Sequence, residues 1–483
     1  MLTKSKKNYL YNLALTMINL LFPILSFPYA SRILGPYGIG KVQFITSFAQ
    51  YFALIAALGI PVYGIREIAR SRGNKKELSK TFMELVIIFM ASSIFIGIIY
   101  LFIAFNIDSL KVDFHFHIYA SFVVFLAFSS IDWFYAGIEE FRTIAIRSTI
   151  VKVLALFLLY FFVNNKNDLF LYFILTLFTL LGNNIINIFS VWRKIEFTLQ
   201  NLNFKQHVRP LVLIFGTTLA SSMYTLFDVI ILGFLSDEKA VGYYTSGVKL
   251  SKVSIPFVIS LGAVLIPTIT TYLKEKKITE FLDVIEKSYS FLIFLSVPIG
   301  IGFLILAKEF ILVFSGPQFV ASIVPMQIMA FLPFFIGLGY LFGIQILIPA
   351  KMDKQLLISV VFGMIISILL NLILVPIYQE KGSSIANLAS EIVVTSCYYF
   401  FVKDRFNLKL SGTLILQAFC SSIIFLPVYL LFKLVFEGNF LNILISSVMV
   451  GGISYCVIQF FFFKNQVITE IFDTVLKRNK NEF

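Results

Sequence analysis

Apolar residues in this chain gather into long unbroken runs rather than the alternating or three-to-four-residue patterns of half-buried elements. A helix needs about 20 apolar residues to cross the hydrocarbon core of a bilayer. That length predicts fourteen spans, near 9–31, 42–65, 83–105, 115–137, 145–163, 169–191, 210–235, 246–272, 289–314, 323–349, 355–378, 383–402, 413–436 and 440–463. The connections between them are too short for an extramembrane domain, so the expected class is an all-α integral membrane protein. Composition agrees. Of 483 residues, 59% are apolar and 13% charged, against about 25% charged in soluble domains. Disorder is excluded as well, because 56 Phe and 22 Tyr demand burial.

The net charge of +13 would suit nucleic acid if the cations formed a patch, but they are dealt out between apolar runs, so no nucleic-acid partner is expected. They fit membrane topology instead. With both termini inside, only Arg32, Lys41, Lys111, Lys166, Lys239 and Lys381 of the 39 Lys and Arg fall on outer connections. Lys249, Lys252, Lys308 and Lys433 lie within spans. The rest, with Arg142, Arg147 and Lys152 among them, are assigned to the inner side, which in a bacterium is the cytoplasm. Losing one span midway would scramble this alternation. Lys4, Lys6 and Lys7 precede a long apolar stretch with no small-residue cleavage signal, so the first span is expected to stay. Cys397, Cys420 and Cys456 all lie in apolar segments and make neither a disulfide framework nor a metal motif.

The chain also repeats itself. Ile33-Leu34-Gly35, Gly40 and Leu58-Gly59 in the first two spans return as Ile231-Leu232-Gly233, Gly242 and Leu261-Gly262 in spans seven and eight, at offsets of 198, 202 and 203 residues. Six spans per copy gives a parallel pair related by an axis along the membrane normal, an arrangement found in transporters. The expected organisation is a lobe over 1–192 (spans 1–6), a second over 193–409 (spans 7–12), two appended spans over 410–464, and a cytoplasmic tail over 465–483.

Polar residues at helical spacing mark faces that meet something other than lipid. Span one carries Asn12, Thr16, Asn19, Pro23 and Ser26 in one stripe. Span two carries Gln43, Ser47 and Gln50; span seven Ser221, Thr225 and Asp228; span eight Thr245, Lys249, Lys252, Pro256 and Ser260. Similar residues on span six (Thr176, Thr179, Asn183, Asn187) and span twelve (Asn387, Glu391, Thr395) read better as interhelical hydrogen-bond glue. Intramembrane ions are stronger markers, because each costs several kcal/mol without a partner. Lys249 and Lys252 share a face, and Arg32 ends span one at a similar depth; snorkelling to headgroups is the competing reading for Lys252 and Arg32. Asp228 and Glu391 are candidates for pairing with these cations or for coupling. Asp132, near the inner end of span four, is expected to make a helix-terminal hydrogen bond. His115 and His117, two apart on a helix, project to different sides and make no metal pair. No cofactor is expected, and neither a phosphate-binding loop nor a catalytic group on an outer loop is present in the sequence.

Three strings carry a family resemblance. Arg32-Ile33-Leu34-Gly35-Pro36-Tyr37-Gly38-Ile39-Gly40, with Leu58-Gly59-Ile60-Pro61-Val62-Tyr63-Gly64-Ile65-Arg66-Glu67-Ile68-Ala69, resembles the start of Wzx-type polysaccharide flippases. Asp132-Trp133-Phe134-Tyr135-Ala136-Gly137-Ile138-Glu139 resembles their fourth helix, and Asp228-Val229-Ile230-Ile231-Leu232-Gly233 with Val241-Gly242-Tyr243-Tyr244 their seventh. The resemblance implies the multidrug/oligosaccharidyl-lipid/polysaccharide exporter superfamily, two lobes in a V, and a non-enzymatic flippase for undecaprenyl-diphosphate-linked oligosaccharides used in O-antigen or capsule assembly. It also implies a bacterial inner-membrane location, cavity cations at Arg32 and Lys249, H+ or Na+ as a coupling ion, and a polymerase and chain-length regulator as pathway partners. Substrate binding is assigned to Arg32, Lys249, Lys252, Asn19 and Gln50, and coupling or gating to Asp228 and Glu391. The competing functions are a multidrug exporter or lipid II flippase of the same superfamily, and a membrane polymerase or glycosyltransferase.

Overall fold

The computed structural model describes residues 4–408, 410–465 and 467–469. Helix accounts for 87% of the described residues, and no strand occurs among them. Contacts divide the chain into two compact units, 1–242 and 243–483, with the cut inside a helix.

The first unit contains α1 (Lys4–Ala57), α2 (Ile60–Ser71), α3 (Lys75–Asn106), α4 (Phe114–Phe125), α5 (Asp132–Gly137), α6 (Phe141–Phe162), α7 (Leu169–Val191) and α8 (Lys205–Leu235). α9 (Glu238–Val253) begins in it and continues into the second unit. The second unit adds α10 (Ile255–Lys274), α11 (Ile278–Ile305), α12 (Leu332–Gly339, running on as a π-helix over Tyr340–Leu347), α13 (Asp353–Phe406), α14 (Gly412–Ser422), α15 (Phe425–Val435) and α16 (Phe440–Phe461).

Among the described residues ten segments are long and apolar enough to cross a membrane, or eleven with the bent pair around α4 and α5. Seen as two arms each, the two 54-residue helices raise this to thirteen among the described residues, roughly compatible with the predicted fourteen. α1 breaks at Gly35 (φ 67°, ψ −177°), a conformation closed to residues with a Cβ. α13 breaks at Gln379 (φ 48°, ψ −124°), three residues after Pro376 has removed a helical N–H. Predicted span two ends earlier than the apolar run does. Leu58 and Gly59 both take positive φ and close the helix at Ala57, and Pro61 then starts the separate amphipathic α2. Span eight divides too, with α9 ending at Val253 and Pro256 opening α10.

Caps are local and legible. Asn74 accepts from the backbone N–H of Lys76 and Glu77 to start α3, and Asn439 accepts from Asn442 N–H to start α16. The outer surface is apolar: Phe102, Phe189 and Leu434 are each about 70% exposed. Water would oppose so many bare rings, whereas lipid favours them. The protein is a multi-pass membrane protein. In the second unit α11 is the central helix, with 72% of its apolar window buried.

The repeat glycines do different work at matched positions. Gly35 turns the chain, whereas Gly233 lies in α8 against the Phe44 ring, where an added Cβ would come within 2.1 Å of the ring. Gly40 and Gly242 meet each other. A Cβ on Gly40 would lie 1.6 Å from the Glu238 carbonyl oxygen, and one on Gly242 would lie 2.1 Å from the Pro36 carbonyl oxygen. Pro36 and Glu238 are themselves separated by the repeat offset of 202, so the contact is reciprocal in the manner of a two-fold interface.

Candidate functional site

The polar stripe of α1 is partly spent on its own helix. Thr16 donates to the Asn12 carbonyl at 2.9 Å and Ser26 to the Phe22 carbonyl at 2.8 Å. Asn19 is exposed and used differently: its Oδ1 accepts from Lys152 Nζ on α6. On the second arm Gln43 donates to Ser47 at 2.9 Å, and Gln50 is half-buried two turns further on.

Here the structure corrects the sequence reading. Arg142, Arg147 and Lys152, expected on an inner connection, all lie in α6, a 22-residue helix of membrane-crossing length. Arg147 is tolerated there because its charge is matched. It is buried, donates to Asp132 and Asn187, and lies 5.2 Å over the Tyr135 ring. Asp132 is thus an ion-pair partner rather than a helix cap. Asn187 also donates to the Ser129 carbonyl at 3.2 Å, and Thr176 and Thr179 donate to carbonyls of their own helix. Asn187 thus makes the interhelical contact expected of span six, whereas the two threonines are spent on their own helix.

Arg32 is exposed near the end of the first arm of α1, three residues before the Gly35 break. Asp228 is completely buried in α8. Lys249 and Lys252 are half-buried in the last turns of α9, where helix carbonyls lack intrahelical partners and the macrodipole is negative. That helix end inside a predicted span is a local reason for Lys252 to reside there; Lys249 lies one turn earlier. Glu391 is buried in the second arm of α13, one turn before Thr395, whose hydroxyl donates to the Phe335 carbonyl at 3.0 Å. Arg32, Asp228, Lys249 and Glu391 all engage neighbours. The side chains of Ser221 and Thr225 lie outside the described residues. Arg32, Asn19, Gln50 and Asp228 belong to the first unit, and Lys249, Lys252 and Glu391 to the second.

Sequence reasoning missed a buried network at the end of α3. Glu84 accepts from His207 Nε2 at 2.9 Å, Gln206 Nε2 at 3.0 Å and the Asn203 backbone N–H at 2.6 Å, while His207 Nδ1 lies 2.8 Å from the Tyr63 hydroxyl. The network ties α2, α3 and the entry to α8 together, and no spacing rule brings residues 63, 84 and 207 into one view. The two candidate metal histidines find separate neighbours. His117 Nδ1 meets the Tyr100 hydroxyl at 2.7 Å, and His115 lies against the Phe116 ring.

Comparison with known proteins places this geometry in context. A family profile described as "Polysaccharide biosynthesis protein" matches residues 5–273. A protein of Escherichia coli K12 named for O-antigen transport is 25% identical over 83% of this chain and 97% of its own length. A Haloferax volcanii protein named as a low-salt glycan biosynthesis flippase is 22% identical over 58% of this chain and 60% of its own. Among solved structures, the lipid II flippase MurJ in an inward closed conformation superposes with a TM-score of 0.73 at 16% identity, covering 95% of this chain and all of that one. An inward-facing multidrug-resistance transporter of the MATE family gives 0.65 at 15% identity, covering 80% and 94%. These structures share the fold.

Proposed function

The chain belongs to the polysaccharide biosynthesis protein family, and from that premise we propose that it is a flippase. It carries undecaprenyl-diphosphate-linked oligosaccharide repeat units from the inner to the outer leaflet of a bacterial inner membrane by alternating access of two lobes, with both termini cytoplasmic. The observation that supports this best is the sign of its intramembrane charge. Lys249 and Lys252 lie within a single predicted span, with Lys152 on a second helix. A diphosphate brings about two negative charges into a low-dielectric setting, where an unpaired anion is very costly. Cations offset that cost, whereas an exporter of cationic drugs would need the opposite sign. The structural likeness to both MurJ and a MATE transporter does not discriminate between these cargoes, and the charge supports the anionic one.

In this reading Arg32, Lys249 and Lys252 hold the diphosphate, Asn19 and Gln50 the adjoining polar groups, and Asp228 and Glu391 couple the cycle to H+ or Na+. The test is the accumulation of unflipped lipid-linked oligosaccharide in cells lacking the protein. Lys249→Ala should fail to relieve it, and Lys249→Arg should relieve it in part, because Arg also binds phosphate. Lys433→Ala should complement fully, since Lys433 is exposed at the end of α15 over the Tyr429 ring. A deletion strain without accumulation would overturn the function, and full complementation by Lys249→Ala would remove that residue from the site.

A further inference from the structure

α1 and α6 pack side by side and run in the same direction. Their contacts advance together along both helices: Asn19 with Lys152, the Leu25 carbonyl with Tyr160, and Tyr29 with the Val163 carbonyl. Most of this seam is apolar or neutral. Lys152 is the exception, and it stands at the middle of its helix. It lies eleven residues from Phe141 and ten from Phe162, so each end of the helix is about 15 Å away at 1.5 Å per residue. That is about half the hydrocarbon thickness, further than a four-carbon stem can carry its ammonium to a headgroup.

Among the described residues no carboxylate compensates it. Neither α1, α6 nor α7, the helices packed around this position, contains a single Asp or Glu. The two acids that contact α6 are engaged elsewhere: Asp132 with Arg147, and Glu140 with Lys194 and Thr143. Among the described residues Lys152 has the neutral amide oxygen of Asn19 and, at 6.0 Å, the face of the Phe22 ring. These contacts aim an ammonium without neutralising it. Lys152 is also half-buried rather than sealed, and Asn19 beside it is exposed. A cation that is oriented, uncompensated, accessible and too deep to snorkel is built to receive an anion.

We propose that Lys152, aimed by Asn19, is a contact in the first unit for the diphosphate of a lipid-linked substrate. The proposal rests on the flippase reading and adds to it a residue that would otherwise pass for an inner-loop cation. Asn19 is the positioning residue: its amide oxygen fixes the ammonium without supplying the charge that an anion must supply.

The test uses the full chain in lipid nanodiscs and undecaprenyl diphosphate as the probe. Lys152→Ala should weaken binding at least tenfold, and Lys152→Arg should stay within about threefold of wild type. Asn19→Asp is the sharper variant, since it places a carboxylate on the ammonium. It should lose binding as Lys152→Ala does while its thermal midpoint stays level or rises, because the buried charge gains a partner. A merely structural lysine would leave Asn19→Asp binding like wild type. If wild type binds the probe and both Lys152→Ala and Asn19→Asp bind equally well, the contact is refuted and the flippase reading stands. If wild type binds no undecaprenyl diphosphate, that reading falls and takes the contact with it. Inorganic diphosphate competing as strongly as the lipid would make this a soluble-anion site and overturn the lipid assignment.

Discussion

Gly40 and Gly242 offer a test of whether the internal repeat is a physical contact or a coincidence of letters. In Gly40→Ala the new methyl would start 1.6 Å from the Glu238 carbonyl oxygen and 2.7 Å from the Gly242 nitrogen. Ordinary contact begins near 3.4 Å, so the two backbones must separate by about 1.8 Å. Both obstacles are main chain, and no side-chain rotation relieves them. The cost therefore belongs at the upper end of the roughly 1–3 kcal/mol typical of overpacking. For a unit of this size, about 2–4 °C is lost per kcal/mol, so a fall of roughly 5–10 °C is expected. Gly242→Ala, meeting the Pro36 carbonyl oxygen at 2.1 Å, should cost a similar amount. The decisive quantity is the double variant. Because the contact is reciprocal, the first methyl already opens the gap that the second needs, and the double variant should melt within about 2 °C of the worse single. Intrinsic fluorescence of Trp133 and Trp192 in detergent follows the transition. Additive losses, or a Gly40→Ala protein as stable as wild type, would refute the reciprocal contact.

Three further outcomes follow from named contacts. Asp132→Ala strips the ion-pair partner from Arg147, 3% exposed at its side chain against 46% for Asp132, and should destabilise the protein by about 1–3 kcal/mol in thermal or denaturant unfolding, with Arg147→Met less damaging than Asp132→Ala. Glu84→Ala leaves the His207 and Gln206 donors and the Asn203 N–H without their acceptor; a loss of about 2–4 kcal/mol is expected, together with earlier proteolytic cleavage between α7 and α8. A reporter fused after Lys480 should read as cytoplasmic, and an outer-side signal would break the fourteen-span count.

What could be read from the sequence divides by range. Span positions follow from apolar run length, a local property, and Gly35 falls between spans one and two, where the structure breaks the helix; the breaks at Gly59 and before Pro256 lie inside predicted spans two and eight and were not foreseen. The reading went astray where a charge was judged by its kind rather than its company. Arg147 and Lys152 look like loop residues because cations are costly in lipid, yet one is matched by Asp132, fifteen residues earlier, and the other is oriented, though not neutralised, by Asn19, 133 residues away. A sequence shows the cost of each such residue, and only the packing shows what offsets it. One signal was nevertheless present. Residues 145–163 form a run long enough to span, and assigning Arg147 and Lys152 to a connection contradicts that length. The contradiction itself marks the segment, because an apolar helix keeps a cation at its centre only where something within reach stabilises it. For Arg147 that is the protein's own carboxylate. For Lys152 the three surrounding helices hold no acid at all, and the difference between these two residues on one helix separates a structural charge from a functional one.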